Sequence, residues 1–339
     1  MPRPLSILSL FLILQFSSPL LYSVPHISPE SSKAVVDQNY LSECTSLIES
    51  AKKSIQISHF YFKNEAITKK IKLSIFKALA NNVEVSILLE DSIPENKDAV
   101  LEFETLGANI RLDGPDKKLH SKFIVVDAEF VLLGSTNFSS KSIGENNETN
   151  LLIQSKETAA IYKNYFYSIW DNKAFKFIPK TDSEKRIIPL FGNNYFRSVK
   201  KIIEDSKNRI GVILYLAKYY DKNNAKSDSL FKSIIKARKR GVDVSIILEK
   251  SSFDKPLNEI NRRTSEYLSK HGITVKFDSP DIITHAKLIL ADNKMVLGSR
   301  NWTKSGLEFN IESDVLIDNN QIVNKFWEYF NNLKTNKGD

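Results

Sequence analysis

The chain has 339 residues, 42% of them hydrophobic and 26% charged, with a formal net charge of +8. That is the balance of a globular protein with apolar material for real cores, and the length suits two domains. Cys44 is the only cysteine, which excludes an intrachain disulfide and a cysteine metal cluster.

In chain order, Arg3 supplies a positive start and Leu5 to Phe16 is almost wholly apolar. Ser17, Ser18 and Pro19 break the run, and Ser23 precedes Val24-Pro25. This is the layout of a secretory signal peptide. Residues 1–23 are therefore expected to be a cleaved leader or an uncleaved anchor, and the protein to be exported. A buried N-terminal helix is the plainer alternative. No other stretch approaches the roughly 20 apolar residues of a membrane helix.

Two halves follow, 34–178 and 187–334, joined by the polar run Pro179 to Arg186. Each reads as the same succession of elements. A helix (38–52; 194–207) precedes a β-rich run (54–62; 209–216), a second helix (67–81; 229–240) and an apolar strand (83–89; 242–248). A third helix (97–106; 257–270) leads to a strand (109–112; 274–277). A hairpin follows (122–126 with 130–133; 287–290 with 295–297), its turns at Asp127-Ala128-Glu129 and Asp292-Asn293-Lys294. A last strand (149–154; 313–317) and an aromatic helix (159–170; 321–333) close each half. Strands alternating with helices imply an α/β sandwich with a mixed sheet. Ordered segments match between the halves, among them Val83 to Glu90 with Val242 to Glu249, at an offset that grows slowly from 155 to 165 residues. Small loop insertions in the second copy of a repeat explain that drift.

The chemistry-bearing residues fall at repeat-related positions. The first set is His120-Ser121-Lys122, Asp127, Gly134-Ser135-Thr136-Asn137 and Glu148. The second is His285-Ala286-Lys287, Asp292, Gly298-Ser299-Arg300-Asn301 and Glu312. His and Lys two apart on a strand share a face, where both are costly unless they meet solvent or an anion. Gly-Ser-x-Asn at the next strand's end lets a ligand approach the backbone and supplies uncharged donors. Two such sets meeting at one interface would make a phosphate trap of two imidazoles, two ammoniums and two amides. No carboxylate–histidine cluster has metal-ligand spacing, so neither a metal nor another cofactor is expected. His26, His59 and His271 sit in no ligand motif. The aromatics around His59, and their counterparts from Tyr215 to Tyr220, either line a substrate groove or pack a strand end.

The paired sets resemble the signature of the phospholipase D superfamily, His-x-Lys-x4-Asp followed by Gly-Ser-x-Asn. The resemblance covers essentially everything after the leader. It implies two phospholipase D-like α/β halves related by a pseudo-twofold axis, their motifs facing each other. One of His120 and His285 would attack phosphorus and form a phosphohistidine, and the other would protonate the leaving alcohol, with His120 preferred as nucleophile. Lys122, Lys287, Asn137 and Asn301 match the family's phosphate ligands, with Ser135 and Ser299 expected beside them as hydroxyl donors. Glu148 and Glu312 match carboxylates that hold a histidine Nδ1–H. Asp127 and Asp292 are read as structural residues of their turns.

The implied activity is hydrolysis, or transfer, of the phosphatidyl groups of phospholipids. The positive charge suits an anionic lipid surface with peripheral membrane contact, but equally a nucleic-acid backbone, and a lysine-rich surface also serves plain solubility. An exported nonspecific endonuclease is therefore the runner-up. A noncatalytic phosphate- or lipid-binding protein of the same fold is the third reading, opposed by the intact His, Lys and Asn of both motifs. The family's cardiolipin synthases usually carry membrane segments, which argues against that reaction. With both motifs in one chain, a monomer suffices.

Overall fold

The structure is a computed structural model that describes residues 31–177, 186–221 and 225–336. The expected leader or anchor, residues 1–23, lies outside the described residues, as do residues 179–185 of the join.

The first half runs β1 (Ser31–Val36), α1 (Asn39–Ser50), β2 (Ser54–His59), α2 (Thr68–Ala80), β3 (Glu84–Leu89), α3 (Pro94–Thr105) and β4 (Asn109–Leu112). It continues with β5 (Lys122–Val126), β6 (Phe130–Gly134), α4 (Ser140–Gly144), β7 (Thr149–Gln154) and α5 (Lys156–Trp170). The second half repeats it as β8 (Ile187–Leu190), α6 (Asn193–Asp205), β9 (Arg209–Leu214), α7 (Lys226–Lys239), β10 (Asp243–Leu248), α8 (Lys255–Ser269) and β11 (Thr274–Asp278). Then come β12 (Lys287–Ala291), β13 (Lys294–Gly298), a π-helical turn at Ser305–Phe309, β14 (Asp314–Ile317), α9 (Asn320–Asn332) and the short β15 (Thr335–Asn336).

The strands form a seven-stranded sheet in the order β1-β7-β6-β5-β2-β3-β4 and an eight-stranded sheet in the order β15-β11-β10-β9-β12-β13-β14-β8. Both are mixed: β2 pairs parallel with β3 and antiparallel with β5, and β9 does the same with β10 and β12. Strands β1 and β8, absent from the sequence reading, pair antiparallel with β7 and β14. Helix α3 begins at Pro94, earlier than residue 97, because proline's fixed φ suits a first helical position where no N–H is needed.

Strand periodicity places the cores. Along β5, Phe123 and Val125 join a core shared by both halves, while Ile124 and Val126 face the first half's own core. Along β12, Leu288 and Leu290 enter the shared core and Ile289 and Ala291 the second half's own. Each sheet is thus buried on both faces, which explains the nearly continuous apolar strands. The aromatic helices α5 and α9 fill the space between the sheets, with Tyr162, Phe166, Phe326 and Trp327 in the shared core. Contacts between the halves repeat with the halves exchanged: Leu119 bridges to Ile311, and Thr284 to Asn147. This reciprocity is the expected pseudo-twofold relation.

Candidate active site

Each histidine stands just before its strand, and the opposite half holds it there. The His120 N–H donates to the Ile311 carbonyl (2.8 Å), and the His285 N–H to the Asn147 carbonyl (2.9 Å). These carbonyls lie next to the two glutamates. His120 Nδ1 is 2.9 Å from Glu312 Oε2, and His285 Nδ1 is 3.1 Å from Glu148 Oε2. Every histidine–glutamate pair therefore crosses the interface.

A buried carboxylate only accepts hydrogen bonds, so each Nδ1 carries the proton and each Nε2 is left for the ligand. Burial would raise Glu148 and Glu312, but the histidines and lysines around them outweigh it and hold both carboxyls at about 2. Burial lowers both imidazoles, with Lys122 and Lys287 adding to the effect; His120 is pushed down to about 4, and His285 is also lowered. At neutral pH the site rests with neutral imidazoles on ionised carboxylates. Lys287 acts on His120 and Lys122 on His285, so both motifs share one electrostatic environment.

Lys122 and Lys287 are 2% and 1% exposed, and each donates to the carbonyl of its own motif's histidine, at 2.6 and 2.5 Å. No carboxylate pairs with either within salt-bridge distance among the described residues. Burial lowers Lys122 to about 8 and Lys287 to about 7. Two buried lysines with no carboxylate in direct contact suit an anion, whose charge would favour their protonated forms. The amide oxygens of Asn137 and Asn301 are buried and unpartnered at matching positions. An Asn amide can turn to offer its NH2 group instead. Phe60 and Tyr215 directly follow the matched strands β2 and β9 and frame the site. Phe60 packs on His120 at 5.1 Å and Tyr215 on His285 at 4.8 Å. His59, by contrast, is a core residue: it is fully buried and stacked on Phe138 at 3.8 Å.

Two expectations need correction. Ser135 and Ser299 are fully buried, and their hydroxyls donate 2.5 Å bonds to Glu148 and Glu312. Each hydroxyl's single proton is given to a carboxylate, which it braces. Nor do Gly134 and Gly298 make room for a ligand. A Cβ on either would lie 2.4 Å from the neighbouring strand, at Thr149 and Asn150 or at Ser313 and Asp314. Asp127 and Asp292 sit at the far ends of β5 and β12 with positive φ of 53° and 50°. Asp127 accepts from the N–H groups of Lys52, Lys53 and Ser54, and Asp292 from those of Lys207, Asn208 and Arg209.

Four supporting residues escaped the sequence reading, although they recur in both halves. Asn96 takes the Phe62 N–H and donates to the carbonyls of Phe60 and Glu90. Asn261 does the same with Ala217, Tyr215 and Glu249. Glu90 and Glu249 accept the N–H of the residue preceding each histidine, Leu119 at 2.5 Å and Thr284 at 2.6 Å. Asp278 approaches the same Thr284 N–H at 3.1 Å. Burial and this crowding raise Glu249 to about 9, so the pair shares a proton at neutral pH. Among the described residues, the carboxylates of Glu90, Asp91 and Asp113 are near enough to one another to hold a cation. Glu90 is already engaged by Leu119 and Ser92, and burial with the Glu90 charge raises Asp113 to about 7.

Among the matched buried pairs that differ between the halves, one differs in charge. Thr136 accepts from Asn150 at 2.8 Å in the first, where Arg300 and Asp314 form a 3.0 Å ion pair in the second. Arg300 adds positive charge near Glu312.

The arrangement suits displacement at a phosphodiester: two imidazoles in one electrostatic environment, each with its Nε2 left for a ligand, beside two buried lysines that could hold phosphoryl oxygens. A family described as "Cardiolipin synthase, PLD-like domain" matches residues 44–170 and 199–334, both halves of the chain. A cardiolipin synthase of Clostridium perfringens strain 13 is 24% identical over 331 residues, covering 85% of this chain and 67% of that protein. A phospholipase D of Rickettsia typhi is 28% identical over 171 residues, covering 48% of this chain and 78% of that protein. Among solved structures, a phosphatidylserine synthase of Haemophilus influenzae Rd KW20 superposes with a TM-score of 0.72 at 15% identity, covering 91% of this chain and 87% of that one.

Proposed function

The chain belongs to the PLD-like domain family, matched over residues 44–170 and 199–334, and from that premise we propose that it transfers the phosphatidyl group of a phospholipid through a phosphohistidine. The observation that carries this reading is the reciprocal pairing of His120 with Glu312 and His285 with Glu148 beside two buried lysines. His120, the imidazole lowered to about 4, is the nucleophile. Its Nε2 attacks phosphorus, the bond to the headgroup oxygen breaks, and His285 gives that oxygen a proton. His285 takes up that proton from solvent when the substrate binds, since the nearby negative charge of the phosphodiester favours imidazolium. In the second step His285 takes a proton from the acceptor, whose oxygen displaces His120 from phosphorus. Lys122, Lys287, Asn137 and Asn301 hold the phosphoryl oxygens throughout.

Water as acceptor makes the protein a phospholipase, and an alcohol makes it a synthase. The relatives named cardiolipin synthase favour transfer as strongly as those named phospholipase D favour hydrolysis. One chain carries both motifs, so the working unit is a monomer. The apolar run before Ser23 supports export.

The test is an assay of the purified chain in EDTA on phosphatidylcholine, phosphatidylglycerol, single-stranded DNA and RNA. Phosphatidic acid or a new phosphatidyl ester is expected. Shortened oligonucleotides without lipid turnover would establish the nuclease, and silence on all four a binding protein. His120→Asn and His285→Asn should each abolish turnover with the fold intact by circular dichroism; substantial activity in either would rule out a shared site.

A further inference from the structure

The histidines stand where one end of each sheet meets the other half. Strands β2, β3 and β4 run parallel and finish at that end, and β5, antiparallel to β2, starts there. Strands β9, β10, β11 and β12 repeat the arrangement. Loops of these ends touch across the interface, Asn147 bridging to Thr284 and Leu119 to Ile311. Three of the second half's loops at this end hold a large apolar side chain out to water. Phe253, between β10 and α8, is 62% exposed, Ile282, between β11 and β12, 37%, and Phe309, between β13 and β14, 56%.

Each is tied to the site. Ile282 lies just ahead of Ile283, whose carbonyl accepts the Asn147 N–H at 2.9 Å, and of His285 itself. Phe309 closely precedes Ile311, whose carbonyl holds the His120 N–H. Phe253 reaches the other half, where Lys141 of α4 stands over its ring at 4.6 Å. Other lysines do the same. Lys304 is 5.8 Å from the Phe309 ring, and Lys118 is 5.4 Å from the ring of Phe60, which packs on His120. All three lysines are exposed. The acidic residues of these loops are engaged locally: Asp254 accepts the Leu257 N–H at 2.9 Å and Asp281 the Ser279 hydroxyl at 3.3 Å.

A single exposed phenylalanine needs no explanation, but three large apolar side chains around one site do. Apolar tips with lysines beside them match a lipid interface, where the tips enter the acyl boundary and the ammoniums stay among anionic headgroups. Lysines and aromatic rings also serve single-stranded nucleic acid, but a base has no ring to stack on at Ile282. We propose that Phe253, Ile282 and Phe309, with Lys118, Lys141 and Lys304, form the face that docks on an anionic phospholipid bilayer and presents the histidine site to it. This deepens the phospholipid reading above by naming the surface, and docking is measured apart from turnover.

The experiment is sedimentation of the full chain with vesicles of phosphatidylcholine alone or mixed with phosphatidylglycerol, in the His120→Asn background so that the lipid stays intact. Binding should be tighter to the mixed vesicles. Phe253→Ser, Ile282→Ser and Phe309→Ser together should weaken partition to both kinds by about tenfold or more. Lys141→Gln with Lys304→Gln should weaken it on the mixed vesicles only, by about fivefold per lysine. With His120 intact, the triple serine variant should keep its rate on monomeric dibutanoyl phosphatidylglycerol, which reports a sound fold, and lose rate on vesicles. Phe253→Trp should show quenching by brominated lipid beyond that of the wild type. A triple variant that partitions like its parent, or an indole at 253 that brominated lipid leaves unquenched, overturns the docking face. So does a protein that sediments with neither vesicle but is retained on single-stranded DNA. Vesicle binding that depends on these residues, with no turnover of dibutanoyl phosphatidylglycerol by the wild type, supports the face and overturns the phospholipid chemistry.

Discussion

The two histidines of the site are tuned by residues from the other half. Glu312 raises His120 by charge and hydrogen bond, while burial and the lysines lower it further, to a net of about 4. A nucleophilic imidazole must be neutral, so kcat/KM should hold on the acid side until pH falls toward 4, well below the range of an ordinary histidine. Glu312→Gln removes a charge that favours imidazolium. The acid limb should then move to still lower pH, and kcat should fall by about 10²–10⁴-fold as the ring loses its tautomer and orientation. A pH–rate series on both proteins checks this; an acid limb that stays in place in the variant would mean that His120 is not the group titrating. Ser135 and Ser299 show how a correct motif can carry a wrong role. Their positions beside Asn137 and Asn301 follow from the spacing, but their side chains turn inward to Glu148 and Glu312.

At the scale of elements, the strands that carry the motifs are fixed at both ends. Asp127 and Asp292 each gather three backbone N–H groups at the far ends of β5 and β12. Glu249 and Asp278, at the ends of β10 and β11, hold the chain entering β12. Glu249 is raised from an ordinary 4.5 to about 9. A raised carboxyl contributes stability that is complete below its unfolded pKa and is lost as pH climbs through its folded one. Between pH 5 and 8.5 the wild type should therefore lose about 1 kcal/mol or more of unfolding free energy from this pair. Glu249→Gln, which keeps the shape of the protonated acid, should lose less over that interval in urea unfolding. Parallel slopes for the two proteins would remove the shared proton from the account. Most elements were legible in the sequence to within a few residues, because period-two and helical spacing are local signals. Strands β1 and β8 were not. They are short, lie beside the polar join or the N-terminal segment, and become strands by pairing with β7 and β14.

At the scale of the molecule, the halves are not independent. Phe123, Tyr162 and Phe166 of the first share a core with Leu288, Leu297 and Phe326 of the second. A chain ending at residue 177 would expose that face to water. It should self-associate or aggregate in size-exclusion chromatography, since large contiguous apolar patches do not stay free. A folded, monomeric first half would show that the shared core is dispensable.

By itself the sequence determined the repeat, the mixed α/β halves and the residues that meet at the site, because strand period, turn chemistry and matched spacing are written within some 30 residues of chain. Only the tertiary structure decided that His120 is held by Glu312 and His285 by Glu148, that the serines serve the glutamates, and that Gly134 and Gly298 make room for a neighbouring strand. His120 and Glu312 are 192 residues apart. Their pairing depends on how two sheets pack across a shared core, and no local pattern encodes that.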